Sequence, residues 1–253
     1  MNRSGLIVTL IVAAVVGVVF GLYPDLDLKI SAPFYDPVKK DFMLRWHPTL
    51  MFLRDAAMWV VGVVAAPAFI ALALKVVNPR GKLLISGRAI VFVIATLAVA
   101  PGLLTNVVLK DNWPRSRPID VPQFNGEEKF TAWWDPHGGC PKNCSFVGGE
   151  AAGATWTLAP AALVPPAWRA AAYGTALVFA AGVAALRLAF GAHFFSDLVF
   201  SGVFTYLVLW LAYGWIYRWP RTRFSDEAVE RLIERIALPP HDAVMAVFRR
   251  GKP

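Results

Sequence analysis

Cysteine, histidine and acidic side chains are scarce in this chain. Its 253 residues include 2 Cys, 4 His and 17 Asp plus Glu, against 25 Lys plus Arg. The cysteines, histidines and carboxylates nowhere recur at the spacing of a metal-ligand set, so neither a metal nor another cofactor is expected. The net charge of +8 is scattered over the ends of apolar runs and is not interleaved with stacking aromatics, which argues against a nucleic-acid partner. No feature calls for an obligatory protein partner. Charged residues make up 17% of the chain and hydrophobic ones 57%, too apolar for an ordinary soluble domain of this size. A small-residue cleavage pattern is also missing after the first apolar run, where Tyr23-Pro24-Asp25-Leu26-Asp27 follows. That run is too long for the apolar part of a signal peptide and is expected to stay as a helix.

What the chain has in quantity is long apolar segments, near 5–23, 52–74, 88–109, 146–167, 171–192 and 194–217. Each approaches the ~20 residues a helix needs to cross ~30 Å of hydrocarbon. Backbone groups in lipid must be satisfied within the segment, so the runs read as helices. The expected fold is all-α, a bundle of six transmembrane helices over 1–219, followed by a tail over 220–253. Lys75, Arg80, Lys82 and Arg88 fill one short connection, and Arg218, Arg221, Arg223, Arg231, Arg235, Arg249, Arg250 and Lys252 fill the tail. The bias of Lys and Arg toward the cytoplasm then puts both termini inside and the 24–51 and 110–145 segments outside. A secondary attraction to anionic lipid headgroups follows from the same charges.

Three stretches carry chemistry, and this topology brings all of them to the outer ends of the helices. They are Lys110-(x6)-Arg117-Pro118, Ser145-Phe-Val-Gly-Gly-Glu150 and Arg187-(x5)-His193-(x3)-Asp197. Their convergence on one side argues for a single site. The Arg117 guanidinium can hold two phosphate oxygens and Lys110 adds a point charge. Arg115 and Lys129 read as interfacial cations with their heads in water. Ser145–Glu150 opens a helix, whose free N–H groups suit an anion; Gly148 and Gly149 let the backbone come close. Ala151, Ala152, Gly153 and Ala154 read as helix packing. His193 and Asp197 stand one helical turn apart if a helix runs through both, so that the carboxylate could fix the ring for nucleophilic attack, with Arg187 in reach of the same phosphate. His47, His137 and His241 sit in polar loops or the tail and carry no such partners.

These residues resemble the signature of the type 2 phosphatidic acid phosphatase superfamily, K-x6-RP, PSGH and SR-x5-H-x3-D. The first motif is complete in Lys110–Pro118, and the third except that Leu186 stands for its serine. The second departs at Gly148, where the family has serine, and at Glu150, where it has a histidine acting as acid. The Pro24–Leu28 stretch before Phe34-Tyr35-Asp36 also looks like members of the family. The resemblance implies a metal-free, two-step mechanism. His193 attacks phosphorus, Asp197 fixes its tautomer, and Glu150 protonates the leaving group. Lys110, Arg117, Arg187 and Ser145, with the Gly148 and Gly149 amides, hold the phosphate. The S-F-V-x-G-E form of the second motif is similar to that of lipid A phosphatases, which implies a phosphorylated lipid headgroup, lipid A favoured. Undecaprenyl diphosphate and phosphatidylglycerophosphate remain alternatives. A catalytically silent relative that binds or moves lipids is the reading from another class. The implied location is the bacterial inner membrane with the site on the periplasmic face.

Trp133, Trp134 and Phe130 of the long outer loop suit either substrate guidance or an aromatic belt. Cys140 and Cys144, placed in an oxidising periplasm, can close a small disulfide loop. In the tail, Ser225 starts a short helix with Val229, Leu232, Ile233 and Ile236 on one face, expected to lie on the inner leaflet.

Overall fold

Five of the apolar runs fold as helices long and apolar enough to cross a membrane: α1 (Arg3–Leu22), then α3 (Pro48–Val77), α4 (Gly87–Asn112), α7 (Pro166–Ala189) and α8 (Phe195–Arg218). A seven-residue helix, α2 (Asp25–Ser31), follows α1. The computed structural model describes the backbone of residues 1–250, with side chains through 243 and at Met245. The side chains of Arg249 and Arg250, and Lys252, which entered the charge count of the tail, lie outside the described residues.

The fourth run departs from the expected single helix. It divides into α5 (Gly149–Trp156) and α6 (Leu158–Leu163). Pro160 is the cause, because it has no N–H to give the Trp156 carbonyl four residues back. In α4 the backbone around Pro101 winds in wider π turns over Ala98–Leu109, a common way of absorbing a proline in a helix. The only strands among the described residues, Tyr35–Asp36 and Asp41–Phe42, form a small antiparallel hairpin after α2.

The chain clusters into two compact units, Met1–Val61 with Thr96–Trp210, and Gly62–Ala95 with the chain from Leu211 onward. In the first, α5 and α6 are buried almost throughout, with Ala151, Ala152, Ala154, Trp156 and Ala159 all at 2% exposure or less. Small residues let neighbouring helices approach closely: Ala154 packs with Ala57 and Val183. An aromatic cluster of Phe146, Phe200, Trp133 and Phe204 seats the long loop on α8. So Trp133 is a packing residue, its indole N–H donating to the Gly17 carbonyl at 3.1 Å.

In the second unit the expected short tail helix is α9 (Asp226–Arg250), 25 residues that continue through Pro239 and Pro240. Its carboxylates answer the basic connection 75–88: Lys75 reaches Glu230 at 3.1 Å, Arg80 reaches Asp242 at 3.1 Å, and Arg88 reaches Asp226 at 2.9 Å.

Candidate active site

The site is built in the first unit from the ends of α3, α4, α5, α7 and α8. Arg187 lies in the last turn of α7. The helix stops because Gly191 takes a left-handed φ of +64°, which favours glycine; a Cβ there would run into the Phe42 ring and Ile119. The Ala192 N–H closes the turn on the Arg187 carbonyl at 3.0 Å. His193 follows in this turn, before α8 begins at Phe195.

That start point overturns the expected His193–Asp197 contact. The two residues are not on one helix, so the four-residue spacing does not stack them. The ring Nδ1 instead donates to the Ser145 backbone carbonyl at 2.7 Å. A carbonyl only accepts, so Nδ1 carries the proton and Nε2 keeps its lone pair; Nε2 takes no hydrogen bond from the described residues. His193 is 1% exposed. Burial, with the charges of Lys110, Arg187 and Arg117, holds its imidazole well below the usual histidine range, against the pull of the Ser145 carbonyl. The ring is therefore neutral, surrounded by cations.

Asp197 does a different task. Its Oδ2 accepts from the Phe194 N–H at 3.0 Å and from the Ser145 hydroxyl at 2.6 Å. The first is the reach of an acid in the first turn back to the residue before the helix, satisfying an N–H with no helical partner. The second corrects the expectation for Ser145: its hydroxyl is buried and committed to Asp197, not open to a phosphate.

Lys110 and Arg117 are drawn together by Asn143, whose side-chain oxygen accepts from Lys110 Nζ at 3.1 Å and whose carbonyl accepts from Arg117 Nη2 at 2.6 Å. Asn143 lies in the small loop closed by a Cys140–Cys144 disulfide. Gly148 precedes α5 and Gly149 opens it. A Cβ on Gly149 would stand 2.6 Å from Asn106 Oδ1 and 3.4 Å from Lys110 Nζ; one on Gly148 would stand 3.5 Å from His193 Cδ2. The first N–H groups of α5 thus open beside Lys110 and the histidine ring. Glu150 is bound by Arg54 of α3 and has Arg187 Nε 3.3 Å away.

Two residues were misjudged or missed in the sequence. Arg115, expected in water, is fully buried with its Nη2 2.8 Å from Asp27 and its Nη1 on Asp197. It folds inward because two buried carboxylates and the Thr131 carbonyl, 3.0 Å from Nε, outbid solvent for its donors. Arg54 had no motif around it. Among the described residues no group of three or more His, Cys, Asp or Glu side chains stands together as a ligand set.

The PAP2 superfamily model matches residues 89–221. A lipid A 4'-phosphatase of Francisella tularensis subsp. novicida (strain U112) is 33% identical over 225 residues, spanning 86% of this chain and 98% of that protein. Lipid A 4'-phosphatases of Rhizobium leguminosarum and Rhizobium etli are 42% and 39% identical over 106 and 105 residues, less than half of each protein. No solved structure gives a significant match. With one relative matched almost end to end, and the family model spanning the helices that carry all three motifs, the chain belongs to the PAP2 superfamily.

Proposed function

We propose that this protein is an integral-membrane phosphatase that removes a phosphate monoester from a lipid headgroup, lipid A being the favoured substrate. The observation that carries the reading is His193: a buried neutral ring with Nδ1 tied to a carbonyl and Nε2 open beside three cations. A neutral imidazole nitrogen held against clustered positive charge is suited to attack phosphorus, and a mere anion binder has no use for it. The lipid A phosphatase names of the relatives favour that substrate. An apolar groove of about 480 Å³, lined by Leu53, Ala57, Val60, Phe179, Val183 and Leu186, includes the chain neighbours of Arg54 and Arg187 and suits acyl chains.

In the first step Nε2 bonds to phosphorus as the ester P–O bond breaks, leaving phosphohistidine. Lys110, Arg117 and Arg187, with the Gly148 and Gly149 amides, stabilise the charge that builds on the phosphoryl oxygens. Glu150 is assigned the proton for the leaving oxygen. It can deliver one only after Arg54 and Arg187 turn from it toward the arriving phosphate. Water then attacks phosphorus and gives its proton to the Glu150 carboxylate, the P–N bond breaks, and inorganic phosphate leaves with His193 and Glu150 restored.

The placement we assign is the bacterial inner membrane. There α5 and α6 together form the fourth of six crossings, both termini are cytoplasmic, and the site faces the periplasm. Residues 1–219 form the catalytic part and 220–253 the cytoplasmic tail.

The test is phosphate release in detergent with chelator present, from lipid A, undecaprenyl diphosphate and phosphatidylglycerophosphate. Release from lipid A that disappears in His193→Ala is expected. A well-folded protein that releases phosphate from none of the three would move the reading to a silent lipid-binding relative.

A further inference from the structure

Asp27 and Arg115 belong to neither the phosphate cradle nor the nucleophile, yet both are at 1% exposure or less. Asp27 comes from α2, 88 residues before Arg115 in the chain. Its Oδ1 accepts from the Ser196 N–H at 2.9 Å and its Oδ2 from the Ser196 hydroxyl at 2.5 Å, at the very start of α8. Arg115 spans from Asp27 to Asp197, and its Nη1 also donates to Ser196 Oγ at 2.8 Å. Its guanidinium lies 4.7 Å from the centre of the Phe194 ring. Arg115 bears on Ser145 by a second route, since its backbone carbonyl accepts from the Ser145 N–H at 2.8 Å.

A continuous chain of buried contacts results. It runs Asp27, Arg115, Asp197, the Ser145 hydroxyl, the Ser145 carbonyl and His193 Nδ1. Two carboxylates share one guanidinium. The excess negative charge is met by the N–H groups of Phe194 and Ser196 and by the positive end of α8. Asp27, Arg115 and Asp197 reach the histidine only through Ser145.

We propose that Asp27 and Arg115 are positioning residues for the nucleophile: they lock Asp197 in the orientation that lets Ser145 hold the His193 ring with Nε2 presented. The proposal rests on the histidine reading above. It gives the segment after α1 a part in catalysis, and it makes Asp197 act on the ring through Ser145. Removing the far end of the chain leaves the phosphate cradle untouched but lets the ring turn.

The experiment compares full-length Asp27→Asn, Arg115→Lys and Arg115→Met with wild type and His193→Ala, in detergent and after thermal melting to establish folding. The readouts are kcat, KM and inhibition by two phosphate-like anions. Vanadate takes the histidine nitrogen as an additional ligand, whereas inorganic phosphate needs only the cations. Asp27→Asn is expected to lose about 10- to 100-fold in kcat, the scale of a nucleophile displaced by ~1 Å, with KM little changed. Vanadate inhibition should weaken by a similar factor while phosphate inhibition holds. Arg115→Lys should recover about tenfold in kcat over Arg115→Met, since it keeps a donor for Asp197. Folded Asp27→Asn with wild-type kcat, or equal weakening toward both anions, overturns the proposal. If Arg115→Met does not fold, Asp27→Asn alone decides. Activity that survives His193→Ala removes the histidine reading and this proposal with it. Activity lost there but intact in Asp27→Asn removes this proposal only.

Discussion

Arg54 grips the Glu150 carboxylate with two nitrogens: Nε lies 2.9 and 3.2 Å from its two oxygens and Nη2 lies 2.6 Å from one of them. Arg187 closes on the other side at 3.3 Å. In this arrangement Glu150 is occupied, and its proposed part in protonating the leaving oxygen requires the arginines to be drawn away by phosphate. Glu150→Gln should therefore cut release from a lipid by about 100-fold, the usual worth of a positioned acid. A substrate with an activated leaving group, such as p-nitrophenyl phosphate, should lose far less. Equal losses on both substrates would show that Glu150 serves only to hold the arginines.

Gly149 and Gly148 should differ in their tolerance of a methyl group. A Cβ at Gly149 meets Asn106 Oδ1 at 2.6 Å, and that side chain is anchored by its amide to the Pro101 carbonyl at 2.7 Å. At Gly148 the nearest atom, at 3.0 Å, is the end of a flexible leucine, Leu198. Gly149→Ala should raise KM or lower kcat by about tenfold or more through the displaced Lys110 region, and Gly148→Ala by less. The comparison needs only steady-state rates.

The acid side of the pH profile reports on His193. Its folded-state pKa is depressed by burial and by Lys110, Arg187 and Arg117. The ring stays neutral as pH falls through ~6.5, where an ordinary histidine protonates. The limb of kcat/KM that belongs to this residue should lie below pH ~6.5. Stability follows the same linkage. Below about pH 6.5 the unfolded ring takes up a proton that the folded one refuses, so stability falls with falling pH and is regained above that point. Melting temperatures of wild type and His193→Gln should diverge above pH ~6.5 and converge toward acid, the wild type losing its advantage.

The Cys140–Cys144 disulfide encloses Asn143, which ties Lys110 to Arg117. Replacing both cysteines by serine should cost about 2 kcal/mol of stability from the freed loop. It should also raise KM more than it lowers kcat, since the cations lose their common anchor. An unchanged KM in the double variant would separate the loop from phosphate binding.

The cations and the histidine were legible because each sits at the end of an apolar run, where an ionisable group stands out. Asp197 stood out in the sequence, but its contacts did not. Helical spacing from His193 assumes a helix, and Gly191 ends one just before it. Arg115 looked like any interfacial arginine. Asp27 and Asp197, both from distant segments, make its burial tolerable, and no local pattern announces pairings across 88 and 82 residues. Arg54 was hidden likewise, 96 residues from its partner Glu150. The fourth run kept its apolar period, and the missing N–H of Pro160 divided it.

The pairing of α9 with the 75–88 connection bears on how the chain enters a membrane. Arg88 is synthesised 138 residues ahead of Asp226, and Lys75 leaves the ribosome 155 residues ahead of Glu230. While the early helices are being threaded, these cations have no counter-ions from α9, and whatever pull they exert on the orientation of the chain is unopposed. The carboxylates emerge last and pair with the connection only after the early helices have been made. The finished fold thus pairs charges that stood alone while the chain was being made.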